Sequence, residues 1–109
     1  MIETETLSRV EFDEDGLLKD PEQWNEALAE AIARANGIPA LTEIHWKVIH
    51  SLRGHYRRFG TAPAMTHVCH MHDLGRFCGH DLFRSCLNAW RVAGLPNPGE
   101  EVKAYMSGI

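Results

Sequence analysis

The side chains of this chain that could do chemistry crowd into one stretch. His67-Val68-Cys69-His70-Met71-His72-Asp73 is followed by Cys78-Gly79-His80-Asp81 and then by Cys86. Thiolates and imidazoles are the ligands zinc prefers, and iron or copper would use the same groups. On a helix, Cys69 and His72 fall one turn apart on a common face, while Cys78 and His80 would approach from the next loop and helix start. Cys69, His72, Cys78 and His80 are therefore the candidate metal quartet. No Cys-x-x-Cys pair occurs, however, and the spacing follows no standard zinc pattern. The plainer reading is separate buried thiols and surface histidines on a helix pair, with no cofactor expected and a metal ion as the alternative.

The same cysteines offer thiol chemistry. A reactive thiol needs cations that stabilise its thiolate; Cys69 has His70 and His72 beside it, and Cys78 has Arg76 and His80. Three cysteines are an odd number. In a chain expected in the cytoplasm they argue against a structural disulfide framework and leave free thiols, a metal site or a redox pair. Other catalytic signatures are missing: there is no glycine-rich phosphate loop, nucleophile elbow or His-Glu-x-x-His motif.

The elements that must position these groups are mostly helical. Leu7 to Phe12 is β-compatible and Asp13-Glu14-Asp15-Gly16 is a turn signal, so a small β-hairpin is expected over residues 1–19. Asp20-Pro21-Glu22 supplies a cap, a proline at the first helical position and an acid in the first turn, which predicts a helix to about Asn36, stopped by Gly37. Trp24, Leu28, Ala31, Ile32 and Ala35 form its core stripe. Thr42 opens a second helix ending near Phe59-Gly60, and Thr61-Ala62-Pro63 opens a third running to Leu74. A further helical stretch begins at Gly79 and ends at Gly94 and the Pro96/Pro98 pair. One domain is expected, with a β element at 1–19, a helical array at 20–93 and an arm at 94–109.

The Thr42 to Leu74 pair has the outline of a helix-turn-helix, which makes DNA binding a competing function. Arg53, Arg57 and Arg58 end its first helix, and His67, His70 and His72 lie on its second. The second helix has no Lys or Arg before Arg76, and neutral imidazoles are poor partners for phosphate. The same arginines suit docking to an acidic protein. Charge along the chain is divided: residues 1–44 hold three basic and eleven acidic side chains, whereas residues 45–91 hold seven basic, two acidic and all seven histidines. No apolar run is long enough to span a bilayer and the N-terminus lacks a signal-peptide pattern, so a cytoplasmic protein off the membrane is expected.

The C-terminal segment Trp90-Arg91-Val92-Ala93-Gly94-Leu95-Pro96-Asn97-Pro98-Gly99-Glu100-Glu101-Val102 resembles the arm of the DsrC/TusE family of sulfur-relay proteins. Phe12 to Leu18 is similar to that family's N-terminal turn. Trp24, Leu41-Thr42-Glu43 with Trp46, Tyr56 and Ala62-Pro63-Ala64 also fit its pattern in order. The resemblance implies an α+β, mostly helical fold: a β-hairpin or meander packed on about five helices, with a C-terminal arm. It also implies an arm with two cysteines, the second carrying sulfur as a persulfide or bonding to the first. Trp90 and Glu101 occupy those two positions here.

Two further departures accompany this loss. The chain is about two residues shorter between Phe83 and Trp90, and it continues through Lys103 to Ile109 where a carrier would end. The expectation is thus a protein of sulfur metabolism that is not an enzyme, an interaction or regulatory component docking on sulfur-relay or sulfite-reductase-type partners. Sulfur transfer or metal binding through Cys69, Cys78 and Cys86 is the alternative to it, as is DNA-linked regulation.

Overall fold

The computed structural model of the chain describes residues 7–107. After a 3-10 turn at Pro21–Gln23 it contains six helices: α1 (Glu26–Ala35), α2 (Glu43–Phe59), α3 (Met65–Met71), α4 (Cys78–Phe83), α5 (Cys86–Val92) and α6 (Glu100–Ser107). Helix α5 is the hub, packing against α1, α2, α4 and α6. Its Trp90, Ala89 and Val92 are buried with Leu17 and Leu18, Leu28 and Ile32 of α1, Val48, Ile49 and Leu52 of α2, and Leu95. Removing this apolar surface from water supplies the main driving force for the fold.

The expected N-terminal β-hairpin is not formed. Among the described residues there is no strand, only an isolated antiparallel bridge between Phe12 and Leu18; residues 1–6 of the expected element lie outside the described residues. A strand alternates its side chains between two faces, but the consecutive Leu17 and Leu18 are both fully buried. The segment is instead a side-chain-bonded turn. Asp13 Oδ1 accepts the amides of Asp15 (2.9 Å) and Leu17 (3.0 Å), and Gly16 takes the left-handed conformation at φ +78°.

The single helix expected from Asp20 to Asn36 is broken. Asp20 does cap the 3-10 turn, accepting the Glu22 amide at 3.0 Å, but Trp24 is extended (φ −71°, ψ 141°) and Asn25 caps α1 anew through the Leu28 amide at 2.8 Å. The extended backbone turns the Trp24 indole toward the C-terminal segment. There its Nε1–H donates to the Val92 carbonyl at 2.9 Å. Helix α2 ends as its sequence predicts, with Gly60 left-handed at φ +70°. At its start His45 Nδ1 accepts the Thr42 amide (3.0 Å), so the ring proton sits on Nε2, which donates to the Leu82 carbonyl (2.8 Å). The buried His45 is thereby satisfied and ties α2 to the end of α4.

The stretch beginning near Gly79 is likewise two helices. Arg84 at φ +72° ends α4, and the Ser85 hydroxyl opens α5 by accepting the Asn88 amide at 3.0 Å. The abrupt corner lets α4 and α5 touch. A β-carbon on Gly79 would lie 2.7 Å from Cys86 Sγ, so only glycine permits this approach.

Candidate functional site

The densest group of chemical side chains resolves into a disulfide and a separate thiol. Cys69, in the last turn of α3, is bonded to Cys78, the first residue of α4, with their Cα atoms 5.7 Å apart. Both residues are buried. The connecting turn is held by the Leu74 amide donating to the Cys69 carbonyl (2.9 Å) and by Asp73 in the left-handed region at φ +57°. Most of that turn faces solvent, including Arg76 and Phe77, whose ring lies 5.1 Å from the Arg76 guanidinium carbon. Of the options the odd cysteine count leaves open, the structure forms one redox-capable pair and one free thiol.

Cys86 is that thiol. It is buried against Gly79, the residue after Cys78, and burial pushes its pKa up from the ordinary thiol range. It is accordingly held as the protonated, poorly nucleophilic form. The candidate quartet of Cys69, His72, Cys78 and His80 does not assemble as a ligand set. Its two sulfurs bond to each other, His72 Nε2 lies 2.7 Å from the Ser51 hydroxyl on α2, and His80 is exposed beside Asp81. Among the described residues no group of three or more His, Cys, Asp or Glu side chains is placed to hold a metal ion.

The docking candidates divide by burial. Arg53 turns inward: Nη1 donates to the Ala93 carbonyl (2.8 Å), Nη2 donates to the Pro21 carbonyl (3.1 Å), and its guanidinium lies 4.2 Å from the centre of the Trp24 ring. Burial, and after it the charge of Arg57, pulls Arg53 below the ordinary arginine value. Arg57, Arg58, His67 and His70 remain on the surface. Helix α3 is only seven residues long and carries no Lys or Arg, leaving a DNA-binding helix little with which to contact phosphate.

The C-terminal segment is fastened rather than free. Trp90 is 1% exposed, and its Nε1–H donates to the Pro96 carbonyl at 2.7 Å, so it fills core and shapes the chain's exit in a way a thiol could not. Gly94 lies against the Trp24 ring. Beyond the prolines the chain re-enters a helix, α6, with Glu101 exposed and Met106 buried. Lys103 Nζ reaches Asp15 Oδ2 at 2.6 Å and Glu100 Oε1 at 2.8 Å, while Arg91 Nε donates to the Asp15 carbonyl at 2.8 Å. The N-terminal turn and the C-terminal helix are thus joined by charge-assisted bonds. Sequence reasoning missed this contact; the isolated cation at Lys103 in an acidic tail was its only local signal.

Residues 5–102 match the model of the family described as DsrC like protein. The Sulfurtransferase TusE homolog of Haemophilus influenzae is 36% identical over 100 residues, covering 84% of this chain and 91% of that protein. Sulfurtransferase TusE of Salmonella choleraesuis is 37% identical over 98 residues, covering 82% and 89%. Among solved structures, the oxidized gamma-subunit of the dissimilatory sulfite reductase (DsrC) from Archaeoglobus fulgidus superposes with a TM-score of 0.73 at 37% identity, covering 84% of this chain and 90% of that one. The DsrC/gamma subunit from Pyrobaculum aerophilum gives 0.71 at 37% identity, covering 84% and 85%. The expectation that the chain is not an enzyme is corrected here, because the relatives are named sulfurtransferases. No helix among the described residues is long and apolar enough to cross a membrane.

Proposed function

Since the chain belongs to the DsrC-like protein family, we propose that it is a sulfur-relay protein whose sulfur chemistry has moved from the arm to the Cys69–Cys78 pair, and that it docks on sulfur-relay or sulfite-reductase-type proteins. The observation that supports this most is the pairing itself. At the two positions where the family resemblance implies thiols the chain has Trp90 and Glu101, side chains without sulfur, yet two other cysteines are held in bonding contact. Cys86, protonated and packed on Gly79, has the weaker claim.

A disulfide can load sulfur without an external oxidant. Hydrosulfide attacks Sγ of Cys78, a new S–S bond forms, the Cys69–Cys78 bond breaks, and Cys69 leaves as a thiolate. The bond that breaks is the two-electron acceptor, and the product is a Cys78 persulfide. An acceptor protein's thiolate then takes the outer sulfur and leaves Cys78 as a thiolate. Exchange with a disulfide-bearing protein returns the pair to its oxidised form. Both sulfurs are buried, so loading requires the turn at residues 72–77 to open. That turn is solvent-facing and short, the kind of segment that opens locally without global unfolding.

The test is intact-protein mass spectrometry of the oxidised chain after treatment with sodium hydrosulfide and alkylation. An added sulfur atom on the parent and on Cys86→Ser, absent from the Cys69→Ser/Cys78→Ser double variant, supports the reading. A parent that gains no sulfur, or a double variant that gains as much, overturns it.

A further inference from the structure

Helices α2 and α3 enclose a surface groove of about 370 Å³ whose lining includes Gly54, His55, Arg58, Phe59, His67 and Met71. Its walls are fastened by the Ser51–His72 hydrogen bond. Three independent features mark it as more than a seam between helices.

The first is charge. The whole chain carries 15 acidic residues and a net charge of −4, yet none of the 29 residues from Ile44 to His72 is acidic. The groove is lined by Arg58 and two histidines with no carboxylate. The second is exposed apolar surface. Phe59 is 61% exposed and Met71 55%, two of the large hydrophobic side chains this small protein leaves in water, and both line the groove. Aromatic, methionine and arginine side chains are the types enriched in protein interfaces, and Phe59, Met71 and Arg58 bring all three to this groove. The Arg58 guanidinium lies 5.5 Å from the centre of the Phe59 ring and the centre of the His55 ring lies 4.7 Å from it, so the guanidinium, the imidazole and the aromatic form one continuous surface.

The third feature is Gly54. It sits in the middle of α2, where glycine costs about 1 kcal/mol relative to alanine. No left-handed backbone or close contact demands it, because a β-carbon there would meet nothing within 4 Å. The missing side chain leaves the groove open. On the wall of the groove, that open space has room for a partner's side chain.

We propose that this groove binds an acidic segment of a partner protein, with an apolar side chain seated over Gly54 between Phe59 and Met71 and carboxylates directed at Arg58 and the histidines. Charge complementarity favours carboxylates over a basic surface or the phosphates of a nucleic acid, since one arginine is a poor match for a polyanion and a good one for a few carboxylates. The site shares no residue with the Cys69–Cys78 pair, so its failure would leave the sulfur-loading assay unaffected.

Fluorescence anisotropy of a labelled peptide alternating glutamate and leucine, titrated with the full chain, tests this. Saturable binding that weakens with salt is expected, with a loss of about tenfold or more in both Arg58→Glu and Gly54→Leu. Arg58 is exposed and Gly54 has open space, so both variants should fold, and circular dichroism checks that they do. A lysine–leucine peptide that binds equally well, or affinity unchanged in both variants, overturns the proposal. So does a concentration-dependent dimer in sedimentation that Gly54→Leu dissolves, which would assign the groove to self-association. Tighter capture of a labelled DNA duplex that displaces the peptide would assign it to nucleic acid.

Discussion

Gly94 packs against the indole of Trp24, so closely that a β-carbon at position 94 would fall 2.6 Å from Trp24 Cγ. The contact joins residues 70 positions apart and is reinforced by the Trp24 Nε1–H bond to Val92 and by Arg53, which covers the ring and binds the Ala93 carbonyl. Gly94 also holds φ +68°, so substitution there meets backbone strain and steric overlap together. Gly94→Ala should destabilise the fold by roughly 2–4 kcal/mol, read from urea unfolding, whereas Gly54→Ala should stabilise it by about 0.5–1 kcal/mol. Equal effects at the two glycines would refute this account of the exit from α5.

Trp90 is expected to be structural. Trp90→Cys, which restores the residue type the family resemblance implies at that position, removes a buried ring that packs edge-on to Tyr56 and also removes the donor to Pro96. A loss of about 3–5 kcal/mol is expected. Thermal unfolding measures it; a variant as stable as the parent would mean the core repacks around a thiol without penalty.

Reduction of the Cys69–Cys78 disulfide releases a short loop, with a sequence separation of 9. The chain-entropy estimate for such a loop is about 2.5 kcal/mol. The urea midpoint should therefore fall on adding dithiothreitol to the parent and stay constant in Cys69→Ser/Cys78→Ser. A reductant effect of the same size in the double variant would place the stabilisation elsewhere.

Lys103 holds α6 to the N-terminal turn. Hydrogen bonds to Asp15 and Glu100 raise its pKa well above that of a free lysine, so its contribution is complete below the unfolded value of about 10.4 and is lost only as pH rises through the higher folded value. Limited proteolysis should find α6 protected at pH 9 in the parent and cleaved in Lys103→Gln. Protection that is identical in both would show that the packing of Val102 and Met106 is enough to anchor the helix.

Asp13 responds at the other end of the scale. Burial by itself would raise its pKa, but the amides of Leu17 and Asp15, then Asn97 and Lys103, outweigh it and hold the carboxyl below the usual range. Its contribution is present above the unfolded value of about 3.9 and disappears as pH falls through the folded value. Asp13→Asn should therefore lower stability at pH 6 by about 1 kcal/mol and change it little at pH 2. A pH-independent difference would mean that the charge is irrelevant to the turn.

Much of the helical framework is legible locally. Gly37 and Gly60 terminate helices because left-handed backbone follows from the residue type, and Thr42 opens one because its neighbours supply a cap. The ordered motifs from Phe12 to Val102 were enough to identify the family, since each reports a local requirement of the same scaffold. Other features depended on partners distant in the chain. Trp24 breaks the first helix to reach the carbonyl of Val92, 68 residues away, and Arg53 turns from a surface cation into an interior tie for the same segment. The metal quartet dissolved because side-chain spacing fixes a shared helix face but not which sulfurs meet across a turn. Cys69 and Cys78 met; Cys86 packed on Gly79. The charge pair that fastens the tail beyond Val102 was not legible along the chain, because Asp15 lies 88 residues upstream of Lys103. Local propensity and ancestry are written along the chain, whereas the pairing of charges and thiols is decided only when packing brings distant residues within a few ångströms.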